Sequence, residues 1–529
     1  MINHLKKLYT VSGFVVFACI SLLDMLALKS PLAGKAGVVF WLLSFSYLGV
    51  LWGYCLFTIL RRFRAHIVTI LSLVIMVGLV LMNTSNPRNV SGETTQEINC
   101  AMRLLKTTDL GFHQTCLFGY PARQFFLPAL PSIIWGRSLT ALNLGGGLYF
   151  VLGIVIFSSG VLKFLDKSGS GDLINGILMA SIYHFHYFNH FMFYYEQSVF
   201  PLSLGLIVVG TLLHYLATHS QIFLVLLAFS LLYLIFSYTP SLALVFLVIG
   251  GLLYLVFSPK HKWSEKILLM ALVNSLLFSL LLSTKFRSDI NIFSPQTRGS
   301  EELVSDLKQA FYLLVFQKGG VVFVSPMFNF VFVSIVVMSL LFVFGNRVFV
   351  IGLWMVATIV ISVIAKGYTY YGADFRLHRA LVIIPIFLSL LALAIKKFPR
   401  RHLFVLWLIL LTTGLSVTGT YLKSKSVSQH FNFIRWIQHN VPVTKLQMAR
   451  NLYVTTGPTR IENLISFNDT LQYFIPRLTA VTNYDCQTPI ESGDYLITLE
   501  TESCDLESYK KLGMFRASPG AGLVVYEKK

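Results

Sequence analysis

Carboxylates and cations cluster in one polar stretch of an otherwise apolar chain, residues 93 to 123. Glu93 begins the stretch, Glu97 and Asp109 follow, and Arg123 ends it. A positioned carboxylate can deprotonate an attacking hydroxyl, and nearby positive charge can stabilise an anionic leaving group. These residue types therefore indicate this stretch as the first candidate for chemistry, with Glu97 as the leading acid.

Each acid in this stretch also has a structural interpretation. Thr94-Thr95-Gln96-Glu97 matches a capping box, in which Glu97 satisfies only the start of a helix. Asp109 and Glu93 fit turn positions, where a short acid commonly bonds local backbone. Catalysis and capping do not exclude each other, so both roles stay open for Glu97 and the other two acids are secondary candidates.

The rest of the chain must position these side chains inside a membrane. Of its 529 residues, 55% are hydrophobic and only 12% are charged, which is too apolar for a soluble core. A helix needs ~20 apolar residues to cross the hydrocarbon, and such runs recur along the chain. The predicted spans are 10–28, 37–60, 67–82, 138–162, 172–188, 200–217, 221–237, 240–257, 266–283, 327–345, 347–365, 378–395 and 403–420.

Basic residues predict the orientation of these spans. With the N-terminus inside, short loops rich in Lys and Arg fall on the cytoplasmic side, as the positive-inside rule requires. The same alternation places three polar stretches outside: 83–137, 284–326 and 421–529. The net charge of +19 then reflects orientation signals and anionic lipid, and we expect no nucleic-acid partner.

Several arginines lie on the external side, against the usual charge bias. Arg376 and Arg379 precede a late span, and Arg298 lies in the second external stretch near Lys285 and Arg287. A lipid phosphate at the mouth of the helix bundle would compensate the first two. The alternatives are arginines that reach the interface and pair with Asp374, and a basic loop without a ligand.

The cysteines and the tail give independent information on the external side. Cys100 and Cys116 fall in the first external stretch, Cys486 and Cys504 in the tail, which predicts two local disulfides in an oxidising compartment. Four free thiols are the alternative. Helical spacing at 431–440 and 461–473 alternates with strand-like runs at 495–499 and 522–526, which predicts a small α/β domain.

The predicted fold is thus an α-helical polytopic membrane bundle of about thirteen helices, with helices in its external loops and an external α/β domain. We divide it into residues 1–66, 67–420 and 421–529. No phosphate-binding loop or dinucleotide fingerprint is present, and Gly145-Gly146-Gly147 inside a span indicates close helix packing. An ATP-driven pump is therefore disfavoured.

A family resemblance appears in the first external stretch. An acid at a helix start (Glu97), Arg-Leu-Leu one turn later, Thr-Thr-Asp-Leu-Gly, and the apolar Leu-Pro-Ala-Leu-Pro of residues 127–131 resemble the GT-C class of membrane glycosyltransferases. That class includes protein mannosyltransferases and the aminoarabinose transferase of lipid A. The resemblance covers residues 67–529 loosely and leaves the first two helices unassigned.

The resemblance implies a lipid-linked donor, a polyprenyl-phosphate sugar, and a lipid, protein or polysaccharide acceptor, at a bacterial inner membrane. It implies an acid at Glu97 and makes Arg123, Arg298, Arg376 and Arg379 candidates for substrate binding. Family members commonly carry a paired acid, where this chain has Gln96-Glu97. The need for a divalent cation is therefore open.

The resemblance also makes Glu196 and Tyr195, at an external helix boundary rich in aromatics, candidates for a sugar pocket. An interfacial aromatic belt with a solvated acid is the alternative. The nearby His184, His186 and His190 lack metal-ligand spacing, since the first two would point to different faces of a helix.

Two other functions compete with sugar transfer. A secondary transporter or lipid flippase would need ionisable residues within the spans, of which Asp24 is the clearest, and helices broken near the midplane. A non-enzymatic envelope assembly protein would use its tail to bind partners. The large cysteine-bearing external segments favour the enzyme over the transporter.

Overall fold

A computed structural model describes the helical bundle and the tail domain. The described residues are 2–26, 31–85, 92–106, 125–165, 169–185, 188–189, 199–236, 242–257, 259, 262–286, 384–396, 398–423, 429–441, 444–445, 449–455, 471–475, 478–485, 488–500, 504–518 and 521–529.

Long apolar helices make up the bundle, as the composition requires. In chain order the helices are α1 (Ile2–Leu26), α2 (Pro31–Arg61), α3 (Ile67–Ser85), α4 (Gly92–Lys106), α5 (Phe126–Ile134), α6 (Leu139–Phe164), α7 (Gly171–Ile182), α8 (Val199–Thr218), α9 (Gln221–Ile235), α10 (Leu242–Phe257), α11 (Trp263–Phe286), α12 (Ile384–Ile395), α13 (Arg400–Lys423) and α14 (Gln429–Asn440). A short 3₁₀ turn, Phe63–Ala65, joins α2 to α3.

Within the described residues, four helical segments are long and apolar enough to cross a membrane: Lys35–Arg61, Ile67–Thr84, Leu139–Phe164 and Arg400–Lys423. Shorter apolar helices occupy most of the other predicted spans. The spans predicted at 327–345 and 347–365 lie outside the described residues. The number of spans, the orientation and the domain boundaries therefore stay predictions.

Helix α6 is the centre of the bundle and makes its closest contact with α8. A Cβ atom at Gly153 would lie 2.7 Å from the carbonyl oxygen of Ser203, and one at Gly160 would collide with the backbone of Gly210. Only glycine permits this approach of two helix backbones. The triple glycine acts in the same way, because a side chain at Gly145 would overlap Pro128 of α5, which confirms its predicted packing role.

The two N-terminal helices belong to the same packed core as the rest of the bundle. Trp41 of α2 is 1% exposed and packs on Tyr233 of α9, their ring centroids 4.9 Å apart. Ser44 and Tyr233 join their hydroxyls by a hydrogen bond. The first two helices therefore pack into the bundle as structural members of it.

Polar contacts at one end of the bundle connect the beginnings of three helices. Asp172, in the first turn of α7, accepts hydrogen bonds from the backbone amides of Val68 (3.0 Å) and Thr69 (2.9 Å) at the start of α3. Arg400, at the start of α13, donates to the carbonyl of Gly169 at 2.5 Å. We call this side the Asp172 end. By the predicted orientation it faces the cytoplasm.

The described part of the tail forms a five-stranded mixed sheet with helix α14 on one face. Its strands are β1 (Asn451–Thr455), β2 (Thr479–Tyr484), β3 (Tyr495–Leu499), β4 (Tyr509–Ser518) and β5 (Ala521–Lys528). Their order is β2-β1-β3-β5-β4, with β1 parallel to β2 and β3 and with β5 antiparallel to β3 and β4. The predicted α/β character, the helix at 431–440 and the strand at 495–499 are confirmed, and β5 contains the predicted run at 522–526.

Candidate functional site

Helix α4 carries the leading candidate acid into the core. Glu97 is 0% exposed, and its neighbours Ile98, Ala101 and Met102 are no more than 2% exposed and belong to the same apolar cluster as the membrane helices. A buried carboxylate is costly unless its surroundings compensate it, so such a group marks a functional candidate more often than a surface acid does. Glu97 is therefore a core residue at the end of the bundle.

The capping interpretation of Glu97 is wrong. Helix α4 begins at Gly92, two residues before Thr94, so Thr94 lies within the helix instead of preceding it. Glu97 is the sixth helical residue, beyond the first turn in which a capping-box acid would reach the orphan amides. Its position in the helix removes the capping role, and the chemical role stays a prediction.

Arg137, which the sequence analysis did not select, connects α4 to the tail. Its Nη1 atom donates to Asn99 Oδ1 of α4 at 3.1 Å, to the carbonyl of Gln472 at 2.8 Å and to that of Tyr473 at 3.0 Å. Arg137 has the same sequence feature as Arg376: it is a basic residue directly before a membrane helix on the predicted external side, against the usual charge bias.

Tyr473 anchors the tail in the bundle. It is 0% exposed, and although it belongs to the tail it lies in the core cluster of the membrane helices. Its hydroxyl bonds Ser132 Oγ at 2.7 Å and donates to the carbonyl of Ser138 at 3.3 Å. Burial raises the pKa of Tyr473 to about 12, so the phenol remains a protonated donor. We call the side formed by α4, α5, the start of α6 and residues 471–475 the Arg137 end.

Helix α7 ends early, inside the predicted span 172–188. Its twelve residues extend about 18 Å at 1.5 Å per residue, which is less than the hydrocarbon thickness. His184 Nε2 lies 2.9 Å from the carbonyl of Leu410 in α13, and Asn189 donates to the carbonyls of Tyr183 (2.6 Å) and Phe185 (3.0 Å). Irregular backbone at membrane depth occurs where it is buried in protein or lines a cavity.

The segment after α7 leads directly into the aromatic stretch that contains Tyr195 and Glu196. Asn189 is fully buried, and its Oδ1 atom has no hydrogen-bond partner among the described residues. His184 has a structural partner in α13, the carbonyl of Leu410. Within the described part of the chain, no three His, Cys, Asp or Glu side chains gather into a metal-binding group.

All of the predicted substrate-binding residues, and one predicted catalytic acid, lie outside the described residues. This applies to Asp109, Arg123, Tyr195, Glu196, Arg298, Arg376 and Arg379. Glu93 lies in the first turn of α4, where the structure describes its backbone only. Of the predicted catalytic acids, Glu97 is the one whose side-chain burial the structure describes.

The described cysteines lie in the membrane helices and in the predicted external segments. Cys19 and Cys55, in the membrane helices, are free thiols, whereas Cys100 and Cys504 are in the disulfide-bonded state. Cys116 and Cys486, their predicted partners, lie outside the described residues, and no complete disulfide lies within them. The two pairings stay predictions.

Comparison with solved structures identifies the fold. The crystal structure of ArnT from Cupriavidus metallidurans in the apo state is similar to this chain, with a TM-score of 0.54 over 86% of this chain and 97% of ArnT, at 11% sequence identity. ArnT is an aminoarabinose transferase of the GT-C class, so the predicted GT-C-like fold is confirmed. The fold and the apolar helices are those of an integral membrane protein.

The sequence itself matches no family model and no curated protein.

Proposed function

We propose that this chain, which has the GT-C fold, is a membrane glycosyltransferase that moves a sugar from a polyprenyl-phosphate donor to an acceptor on the extracytoplasmic side. The burial of Glu97 in α4, at the Arg137 end of that fold, carries the proposal. A chemical step outside the cytoplasm has no nucleotide sugar available. An activated lipid donor that enters from the membrane supplies the energy instead.

In this proposal Glu97 is the general base. Its carboxylate takes the proton of the acceptor hydroxyl as the oxygen attacks the anomeric carbon, the bond from that carbon to the phosphate oxygen breaks, and the carrier leaves as a phosphate. Exclusion of water around Glu97 strengthens its interactions with the reacting atoms. Glu93 and Asp109, in the same external stretch, are secondary candidates for the general base.

The leaving phosphate needs positive charge. Arg376 and Arg379 are the proposed partners of the lipid phosphate, with Arg123 and Arg298 as further candidates, because guanidinium groups form paired hydrogen bonds with phosphate oxygens. Tyr195 and Glu196, which follow the irregular segment after α7, are proposed to contact the hydroxyls of the sugar. The early end of α7 and the unpaired Asn189 Oδ1 support a polar site at this depth.

The test is the glycolipid and glycoprotein profile of a deletion strain complemented with variants. We expect the wild-type gene to restore a sugar-bearing product and Glu97→Gln to reduce its formation by a factor of about 10² to 10⁴, the usual contribution of a general base. Glu507→Gln, at an exposed acid of the tail, is the matched control and should restore the product fully.

Full activity of Glu97→Gln at normal protein levels removes Glu97 from the mechanism.

A lipid flippase is the second candidate, favoured by the end of α7 inside a predicted span, since transporters use interrupted membrane helices. It would move a lipid without forming a new glycosidic bond. Mass spectrometry separates the two functions, because a deletion that leaves every glycoconjugate intact but traps a lipid on one leaflet fits the flippase alone.

A further inference from the structure

One guanidinium group joins three parts of the chain that are far apart in sequence. Arg137 reaches Asn99, 38 residues before it, and the carbonyls of Gln472 and Tyr473, which lie 335 and 336 residues after it. The same guanidinium lies 5.9 Å from the centroid of the Tyr473 ring, within the range of a cation–π contact. The acceptor Asn99 is 3% exposed.

The contact with Asn99 bears on the orientation of Glu97. Successive residues of a helix are rotated by about 100°, so a bond to Asn99 fixes the rotation of α4 about its axis and with it the direction of the carboxylate two residues earlier. Residues 97 to 102 are all buried, so α4 is packed on every side in this region. A small rotation would move Glu97 relative to any bound substrate.

The other hydrogen-bond partners of Arg137 lie in the tail, in the segment 471–475. Leu471 and Ile475 pack into the apolar core of the tail domain, whereas Tyr473 between them packs into the core of the bundle. The Tyr473 hydroxyl contacts Ser132 of α5, and it donates to the carbonyl of Ser138, the N-cap of α6. The segment 471–475 is therefore buried in both units at once, and Arg137 connects it to α4.

We propose that the tail domain positions the catalytic acid, with Arg137 as the positioning residue that transmits docking of residues 471–475 to α4. This inference rests on the proposed transfer function. Arg137 touches neither substrate nor reacting atoms in this role. A docked tail holds the Glu97 carboxylate in its orientation. Loss of the Arg137 contact leaves this acid present but misplaced. A displacement of about 1 Å lowers the reaction rate about a hundredfold.

The experiment uses the full-length protein in nanodiscs and in the complemented deletion strain. Arg137→Met removes the donor and keeps most of the apolar volume, Arg137→Lys keeps the charge and part of the hydrogen bonding, and Arg435→Met, at an exposed arginine of α14, is the matched control. Three readouts are hydrogen exchange of residues 92–106, binding of undecaprenyl phosphate, and product formation.

We expect Arg137→Met to raise exchange in 92–106, to lower product formation about a hundredfold, and to leave binding of undecaprenyl phosphate unchanged. Arg137→Lys should recover part of the activity, and Arg435→Met should match the wild type. A merely structural role would lower carrier binding and transfer together and would show no rescue by lysine.

Unchanged exchange in Arg137→Met, or full transfer by that variant, overturns the positioning role. Failure of the proposed reaction has a different signature: Glu97→Gln would stay active while Arg137→Met still loosens α4. The exchange measurement needs no sugar donor, so the two failures are distinguishable.

Discussion

Asp172 and Arg137 make the main described polar contacts at opposite ends of α6 and α7, and their partners differ in kind. At the Asp172 end, one carboxylate accepts from two successive backbone amides of α3, and Asn175 donates to Thr69 at 3.1 Å. These bonds satisfy the free amides of a helix start and join helices within the bundle. At the Arg137 end, the bonds join the bundle to a separate domain more than 330 residues later.

The two ends differ in the units that their bonds connect. The contacts at the Asp172 end lie within one packed unit, and their loss would weaken the bundle as a whole. The contacts at the Arg137 end cross from one apolar core to another, and the acid Glu97 lies beside them in α4. Hydrogen bonds that join two units can couple the docking of one unit to the position of residues in the other. Hydrogen bonds inside one unit mainly contribute to its stability.

Removal of the tail anchor should destabilise the protein more than any other change proposed below. Tyr473→Ala deletes a fully buried ring and leaves a cavity between the two cores, which costs about 3–5 kcal/mol for a large aromatic. We expect a lower thermal midpoint and faster proteolysis between the bundle and the tail. Tyr473→Phe, which keeps the ring and loses only the hydroxyl bonds, should cost about 1 kcal/mol.

Equal stability of Tyr473→Ala and wild type would show that residues 471–475 do not hold the tail.

A smaller effect is expected from alkaline pH, through the same phenol. Below pH 10 Tyr473 is protonated in both the folded and the unfolded chain, so its contribution to stability is complete. Between pH 10 and 12 the unfolded chain loses the proton while the folded chain retains it, because burial raises the folded pKa to about 12. Stability should fall across that range by roughly 2–3 kcal/mol.

Unfolding of the wild type and of Tyr473→Phe as a function of pH measures this contribution. Tyr484 and Tyr495 of the sheet also have a pKa raised to about 12, mainly by burial, so both proteins should lose stability. The wild type should lose more. Parallel curves for the two proteins would show that the Tyr473 proton is not linked to folding.

Local pattern was sufficient for most of the bundle and for part of the tail. Apolar runs predict the membrane helices because transfer to lipid depends on composition, and the polar helical pattern after Thr94 predicts α4. The strand Tyr495–Leu499 is a compact apolar run and was found. Strand β4, Tyr509–Ser518, was missed because its lysines and glycine break the alternation on which strand prediction depends.

The early end of α7 could not be predicted, because residues 183–188 remain apolar and aromatic, and hydropathy does not report backbone geometry. The contacts of Arg137 were equally hidden, since its partners in the tail lie 335 and 336 residues away and no local spacing encodes them. Burial of Glu97 depends on the packing around α4. Glu97 could thus be proposed from the sequence, whereas Arg137, the proposed positioning residue, could not.

A substitution at the Asp172 end should destabilise the protein less than Tyr473→Ala does. Asp172→Ala leaves the amides of Val68 and Thr69 without their acceptor and should cost about 1–2 kcal/mol, as loss of a helix cap does. Asp172→Asn keeps one acceptor oxygen and should cost less. Because these bonds lie far from α4, product formation per folded molecule should stay at the wild-type level in both variants. A loss of transfer as large as that of Arg137→Met, at equal stability, would show that both ends are coupled to the site and that the contrast between them fails.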